Sequence, residues 1–394
     1  MMGRFLLALA GCALIGAGPV RALEVVSGVL RVDYPSQLPI SRYDLRPDDL
    51  GFAGAVLATE DNQTTGRFLG MEFLSESVAA TPESAPDALD RMIADGIRLI
   101  VVMAEAGDLL ALADRAGDDV LILNASARDT ALRDDQCRAN ILHVAPSEAM
   151  MADAVAQFAL WKQWRRWFLI EGSNPADRML ADAYRRAADK FGATIVETRV
   201  FEDTGGSRRT DTGHVLVQRQ IPVLTQNARE HDLIIAADAS DVFGLYLPFH
   251  AWDPRPVMGA GGLHPVTFHA AHEAWGATQF QRRFEKLATR YVQEEDYQVW
   301  LALRVIGEAV IRTNSNDPGV LRDYILSDAF ELAAFKGRPV DFRPWNGQMR
   351  QPVLLTDNKL TVSVSPQEGY LHQRSTLDTL GLDEPESACM AFEE

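Results

Sequence analysis

Two arginines in a glycine-flanked loop, Gly205-Gly206-Ser207-Arg208-Arg209-Thr210, are the first residues in this chain that could do chemistry. Glycines let backbone approach a ligand closely, and paired guanidiniums suit bidentate contact with carboxylates. A solvated surface loop is the bland alternative. Arg128 follows an apolar strand-like run at 120–124 and offers the same chemistry. The run Gly259-Ala260-Gly261-Gly262 also follows a strand-like segment, and its backbone N–H groups could meet a carboxylate or carbonyl. His264, His269 and His272 are the densest histidine group, but their spacing fits no zinc pattern, so no metal is expected. No G-x-S-x-G elbow, Walker loop or G-x-G-x-x-G fingerprint is present, which argues against an enzyme of those classes.

These residues need elements to position them. From 25 onward strand-like and helix-like segments alternate. Residues 97–104 (IRLIVVMA) form a continuous apolar run, the mark of a strand buried on both faces of a parallel sheet. Helices are expected over 48–61, 82–95, 108–115, 148–164 and 297–312, and further strands over 71–78, 120–124, 193–201, 232–237 and 256–260. Residues 127–147 read as a polar linker, with Ser147 placed to cap the next helix. The segment 167–197 is a complete strand–helix–strand unit whose helix is expected to bury Met179, Leu180, Ala183, Tyr184, Ala187 and Ala188. Residues 340–365 alternate as antiparallel strands do. The repeated pattern implies an α/β fold with two doubly wound domains. Ligands in such sheets bind beyond the carboxyl ends of the strands. That rule selects Tyr34, Ser36, Glu105, Ser126, Arg128, Ser173, Asn174, Arg208, Arg209, Asp238 and Gly261 as candidate ligand residues, although Ser173 and Asn174 could equally cap a helix.

The first 22 residues look like an export signal: Arg4, an apolar run over 5–17 and a small residue at Ala22. Cleavage after Ala22 is expected, with lipidation at Cys12 in Leu9-Ala10-Gly11-Cys12 as the alternative. Arg4 and Arg21 are the only charges in that segment, so removing it takes the net charge from −17 to about −19. That acidity argues against nucleic acid and anionic membranes as partners. A chain that is 47% hydrophobic and 24% charged has the composition of a folded protein rather than a disordered one. Cys137 and Cys389 remain after cleavage; in an oxidising compartment they invite a disulfide, two buried thiols being the alternative.

Several segments together resemble the type I periplasmic solute-binding proteins of the leucine/isoleucine/valine-binding class: 53–66 (AGAVLATEDNQTTG), 140–150 (NILHVAPSEAM), the 167–197 unit and 297–309 (YQVWLALRVIGEA). A narrower resemblance is to the ABC transporter substrate-binding proteins associated with PQQ-dependent alcohol dehydrogenase systems (PQQ is pyrroloquinoline quinone). It is carried by DNQTTGRF (61–68), WGATQFQRRF (275–284), FKGRPVDFRPWNGQMRQP (335–352), SPQEGYLHQ (365–373) and LDTLGLDEPESAC (377–389). The resemblance implies a type I fold, with two doubly wound parallel-sheet lobes joined by hinge strands. Residues 23–146 with 267–339 would form lobe 1, residues 147–266 with 340–375 lobe 2, and residues 376–394 a tail. It further implies a periplasmic receptor without enzymatic activity or cofactor. Such a receptor is expected to be a monomer that delivers a small, anionic solute to an ABC permease. PQQ is the foremost candidate solute, an alcohol-derived or amino-acid-like acid the alternative, and a sensory receptor the alternative role.

Overall fold

The structure is a computed structural model that describes residues 22–35, 39, 45–203 and 211–393. The expected signal segment up to Arg21, Ser36, and the Gly205–Thr210 loop with Arg208 and Arg209 lie outside the described residues.

The first lobe is built on β1 (Leu23–Val32), α1 (Phe52–Leu69), β2 (Met71–Ala80), α2 (Ala85–Ala94), β3 (Leu99–Met103), α3 (Ala106–Ala116), β4 (Leu121–Asn124) and β5 (Ile141–His143). Its five strands are parallel, in the order β2-β1-β3-β4-β5. The apolar run of β3 is needed on both faces. Leu99, Val101 and Met103 enter one core, while Ile100 and Val102 enter the other, against α2 and α3.

The second lobe follows with α4 (Glu148–Trp161), β6 (Arg166–Gly172), α5 (Pro175–Phe191), β7 (Thr194–Phe201), α6 (Asp211–Thr225), β8 (Leu233–Ala237), α7 (Leu247–His250) and β9 (Val257–Gly259). Its parallel sheet has the order β7-β6-β8-β9. Again the central strand divides its side chains: Leu233, Ile235 and Ala237 pack with α4 and α5, Ile234 and Ala236 on the opposite face.

The chain then returns. After β10 (His264–Val266) come α8 (Ala277–Ala288), α9 (Glu294–Thr313) and α10 (Pro318–Leu326), which cover the first sheet. Packing of α9 on α1 is close because Gly54 has no side chain: a Cβ there would lie 2.0 Å from the Asp296 carbonyl oxygen. Asp296 itself is buried and accepts from Gly51 N (2.8 Å), Gln293 N (3.0 Å) and Arg290 (2.6 Å), so it fixes the start of both helices. A two-stranded hairpin, β11 (Asp341–Phe342) and β12 (Met349–Arg350), precedes β13 (Val353–Thr356) and β14 (Thr361–Ser365). β13 pairs antiparallel with both β10 and β14, giving the order β10-β13-β14.

Some expectations need correcting. The segment 127–147 is no linker: it holds a short 3-10 turn, Thr130–Arg133, and β5, a strand too short for its pattern to show. The segment 340–375 does not pack as one piece: Val340, Phe342 and Met349 belong to the first core, Val353 and Leu355 to the second. The first helix starts later and runs further than 48–61 because Gly51, at φ 79°, breaks the path before it.

Before its C-terminal segment the chain passes between the cores three times, at 144–150, 258–268 and 349–353. Its carbonyls at the first and third of these crossings are met by buried side chains. Gln351 Nε2 donates to Val144 O (2.6 Å), Arg133 to Ala145 O (2.7 Å) and to Gln348 Oε1 (2.7 Å), and Gln348 Nε2 to His143 O (3.2 Å). Lys336 Nζ donates to Gln351 Oε1 (2.6 Å) and Pro352 O (3.0 Å), beneath the Tyr297 ring. Burial pushes the Lys336 ammonium down to about 7.

The C-terminal segment touches both cores. Leu380 packs in the second, Phe392 against the first, and Cys389 is bridged to Cys137, 252 positions earlier. Arg343 clamps the segment from the hairpin side, bonding Asp378 Oδ1 (2.9 Å) and Leu380 O (2.6 Å).

Two stability predictions follow from these ties. Cys389→Ser should lower unfolding stability by about 2–5 kcal/mol, since the bridge closes a very long loop, and urea titration of the folded variant measures it. Below pH 7 both folded and unfolded chains carry a charged Lys336, and the cost of burying it is fully present. Between about 7 and about 10.4 the folded form sheds that proton first, so the Lys336 contribution makes stability rise with pH over that window. Lys336→Met should remove that rise; an unchanged difference in urea midpoints across the window contradicts it.

Candidate functional site

Between the lobes lies a cleft of about 1360 Å3. The first-lobe wall comes from the loops at the carboxyl ends of β1, β3 and β4, the position the open-sheet rule selects. Tyr34, just past β1, is locked there: its hydroxyl donates to Asp108 Oδ2 (2.6 Å) and accepts from Glu105 N (2.9 Å). Burial, reinforced by the bond to Asp108, pushes its phenol up, so it stays a proton donor. Asn124 shapes the loop after β4. Its Oδ1 accepts from Ser126 N (3.1 Å) and Ala127 N (2.9 Å), and Ser126 Oγ reaches across to Ala104 O (3.0 Å).

Arg128 forms the floor. It pairs with Glu294 at 2.7 Å, and Glu294 Oε1 also accepts from Thr267 N and Thr267 Oγ1, both at 2.5 Å. Thr267 belongs to the second crossing, so this ion pair ties the β4 loop to the hinge. Burial on its own would raise the Glu294 carboxyl; the Arg128 charge and the Thr267 bonds outweigh it and hold the group below the ordinary range. Two further floor carboxyls, Glu148 and Glu295, are pushed up by burial.

The second-lobe wall is one face of α5. Ala176, Met179, Leu180, Ala183 and Arg186 recur at helical spacing and line the cleft, joined by Ala239 after β8. Of the helix residues expected to be buried, Ala183, Tyr184, Ala187 and Ala188 are; Met179 is 55% exposed and faces the cleft, and Leu180 is half-buried there. An apolar stripe near the start of a helix can serve a core or a ligand wall, and spacing alone does not separate them.

The cleft brings together Tyr34, Glu105, Ser126 and Arg128 from the strand-end set. Others spend their polar atoms elsewhere. Ser173 Oγ accepts from Asp203 N (3.0 Å), and Asn174 caps α5 in a box with Asp177. Asp238 is buried and accepts from the backbone N–H groups of Val242, Phe243 and Gly244 at 2.6–2.8 Å. Gly261 is a packing glycine: a Cβ would lie 2.0 Å from Gly244 O. His272 is buried, with Nε2 3.0 Å from Phe335 O, and no metal-holding group of His, Cys, Asp or Glu occurs among the described residues. The charged lining comprises Arg46, Arg128 and Arg186 against Glu105, Asp129, Glu148, Asp182 and Glu295, an excess of acids.

Residues 51–359 match the family model described as periplasmic binding protein, which is more than half of the chain. The chain belongs to the periplasmic binding protein family. Members of this family bind small molecules in the periplasm and hand them to ABC permeases. The fold is similar to that of a branched-chain amino acid ABC transporter ligand-binding protein from Burkholderia xenovorans. The TM-score is 0.68 at 17% identity, over 88% of this chain and 92% of that one. It is also similar to a leucine-, isoleucine-, valine-, threonine- and alanine-binding protein from Brucella ovis in a closed conformation (TM-score 0.66, 15% identity, 85% and 90% covered). A solute-binding protein from R. palustris, in complex with 4-hydroxybenzoate, gives a TM-score of 0.62 at 13% identity over 86% and 96%. No curated protein sequence matches this chain. No helix among the described residues is long and apolar enough to cross a membrane.

Breaking the floor pair is expected to be costly. Arg128→Met should destabilise by about 2–3 kcal/mol, at the low side for a partly buried ion pair, because both side chains keep some water contact. A depressed carboxyl contributes stability above its unfolded value, about 4.3, and loses it as acid protonates it. The variant should therefore also lose stability less steeply than wild type below pH 4.3 in an acid-unfolding series.

Proposed function

We propose that this protein is the solute receptor of an ABC transporter working alongside PQQ-dependent alcohol oxidation, and that it closes its lobes on a small organic acid. The observation that carries the acid-binding reading is the cleft itself: both lobes supply walls, with exposed Met179 and Leu45 for an apolar body and Arg46, Arg128 and Arg186 for carboxylates. No bond is made or broken; closure is a hinge motion favoured by any ligand that touches both walls. The link to alcohol oxidation is supported by the sequence segments at 61–68, 275–284, 335–352, 365–373 and 377–389.

PQQ, a planar tricarboxylate, is the first solute to test. The excess of acids over arginines in the lining favours a second reading, an acid with a single carboxylate and a small aromatic or aliphatic body. The R. palustris relative in complex with 4-hydroxybenzoate and the amino-acid-binding relatives supply two such probes. Calorimetric titration with PQQ, 4-hydroxybenzoate and leucine separates the readings. Saturable one-to-one binding of PQQ at micromolar concentration, weakened by salt, is the result expected for the first. Binding of a monoacid without PQQ moves the assignment to the second, and silence from all three contradicts a small-acid receptor.

A further inference from the structure

We infer that Arg186 is the anion anchor of the second lobe, held in position by Asp153 and the C-terminal segment at Gly381. The inference rests on the small-acid reading and names which residue of that wall meets the acid.

The three cleft arginines are not equivalent. Arg128 is committed to Glu294, which pairs with no other cation among the described residues. Arg46 lies at the exposed rim and shares Asp33 with Arg31. Arg186 instead backs onto a carboxylate from which water is wholly excluded: Asp153 on α4 has 0% side-chain exposure. A single oxygen of that carboxylate, Oδ2, accepts from Arg186 (3.1 Å), Lys190 Nζ (3.0 Å) and Gly381 N (2.8 Å). Lys190 also donates to Gly381 O (2.7 Å) and lies 3.9 Å from the exposed Glu386.

Two cations thus share one buried carboxylate, and the second carboxylate of the cluster, Glu386, pairs with Lys190 and not with Arg186. Arg186 is the member that opens onto the cleft. Its Nε is buried and, like Asp153 Oδ1, has no hydrogen-bond partner among the described residues. An arginine has five donors, and leaving one unmet away from water is unfavourable. A carboxylate entering the cleft supplies an acceptor for the face of Arg186 that Asp153 does not reach. The apolar residues before Arg186 on the same helix face, Met179, Leu180 and Ala183, then lie along the body of such a ligand.

The position of Arg186 is set from behind. Gly381 reaches Asp153 because Arg343 holds the carbonyls of Leu377, Leu380 and Leu382, and because Leu380 is buried in the second core. The C-terminal segment is therefore part of the support of the cleft wall as well as a tie between lobes.

The test is calorimetry with PQQ and 4-hydroxybenzoate on the full chain, at low and high salt, for wild type, R186Q, R186K, D153N and K190M. R186Q should weaken the bound probe at least about tenfold and flatten the salt dependence of its affinity, because the lost interaction is a charge-assisted one. R186K should restore part of the affinity and the salt dependence. D153N, and K190M where D153N does not fold, should weaken binding while keeping a salt-dependent affinity, as expected of groups that position the anchor. Wild-type binding that R186Q leaves unchanged overturns this inference alone. Unchanged affinity in D153N or K190M overturns the positioning role of that residue. Binding of neither probe to wild type overturns this inference, and the small-acid reading falls with it only when leucine is silent too.

Discussion

Where the chain passes from one core to the other it leaves both sheets, and its backbone carbonyls lose their ladder partners in a dry interior. This protein meets the constraint with side chains at the first and third crossings, while in the second β10 pairs with β13. Gln351, Gln348, Arg133 and Lys336 donate into the crossings at Val144, His143, Ala145 and Pro352. Two of these donors, Arg133 and Lys336, are cations almost wholly removed from water and without an ion pair among the described residues. Such groups are expensive to bury, and amide and carbonyl dipoles at 2.6–3.1 Å offset the cost. The fixed spacing of the crossings sets where the two walls of the cleft face each other.

The cleft inherits its chemistry from that arrangement. Its floor is the Arg128–Glu294 pair, itself bonded to Thr267 in the second crossing. Its first-lobe wall is pre-ordered by Tyr34 and Asn124, whose bonds are internal and need no ligand. Its second-lobe wall is apolar along α5 and ends in Arg186. A site with ordered walls on separate lobes gains most from a ligand that bridges them, which is the physical basis of closure. Acidic groups around the floor narrow the choice, because each added carboxylate on a ligand must outweigh Glu105, Asp129, Glu148 and Glu295 as well as find an arginine.

Much of this is legible in the sequence. The all-apolar β3 signals a strand covered on both faces, and Ser147 caps α4 as its place predicts, accepting from Met150 N at 3.2 Å. The strand-end rule finds Tyr34, Glu105, Ser126 and Arg128 because such residues have no sheet left to join. It also selects Ser173, Asn174 and Asp238, whose short polar side chains satisfy their own loops, an outcome that depends on neighbours tens of residues away. Arg186 leaves no trace in the pattern: an arginine in mid-helix reads as a solvated charge until Asp153 is known to lie buried behind it. Asp153 is itself hidden in a largely apolar helix, and its partners come from α5 and from the C-terminal segment. β5 is too short for periodicity, so its run reads as a linker although His143 and Leu142 are fully buried.

The central claim is that the two lobes close about the polar crossings when a small solute fills the cleft. Spin labels at Asp95→Cys and Asp189→Cys, exposed positions on α2's end and on α5, report the distance between lobes by pulsed electron resonance. The account predicts a distance distribution that shifts to a single, different value as a solute shown by calorimetry to bind is titrated to saturation. A distribution that stays unchanged at saturation contradicts it.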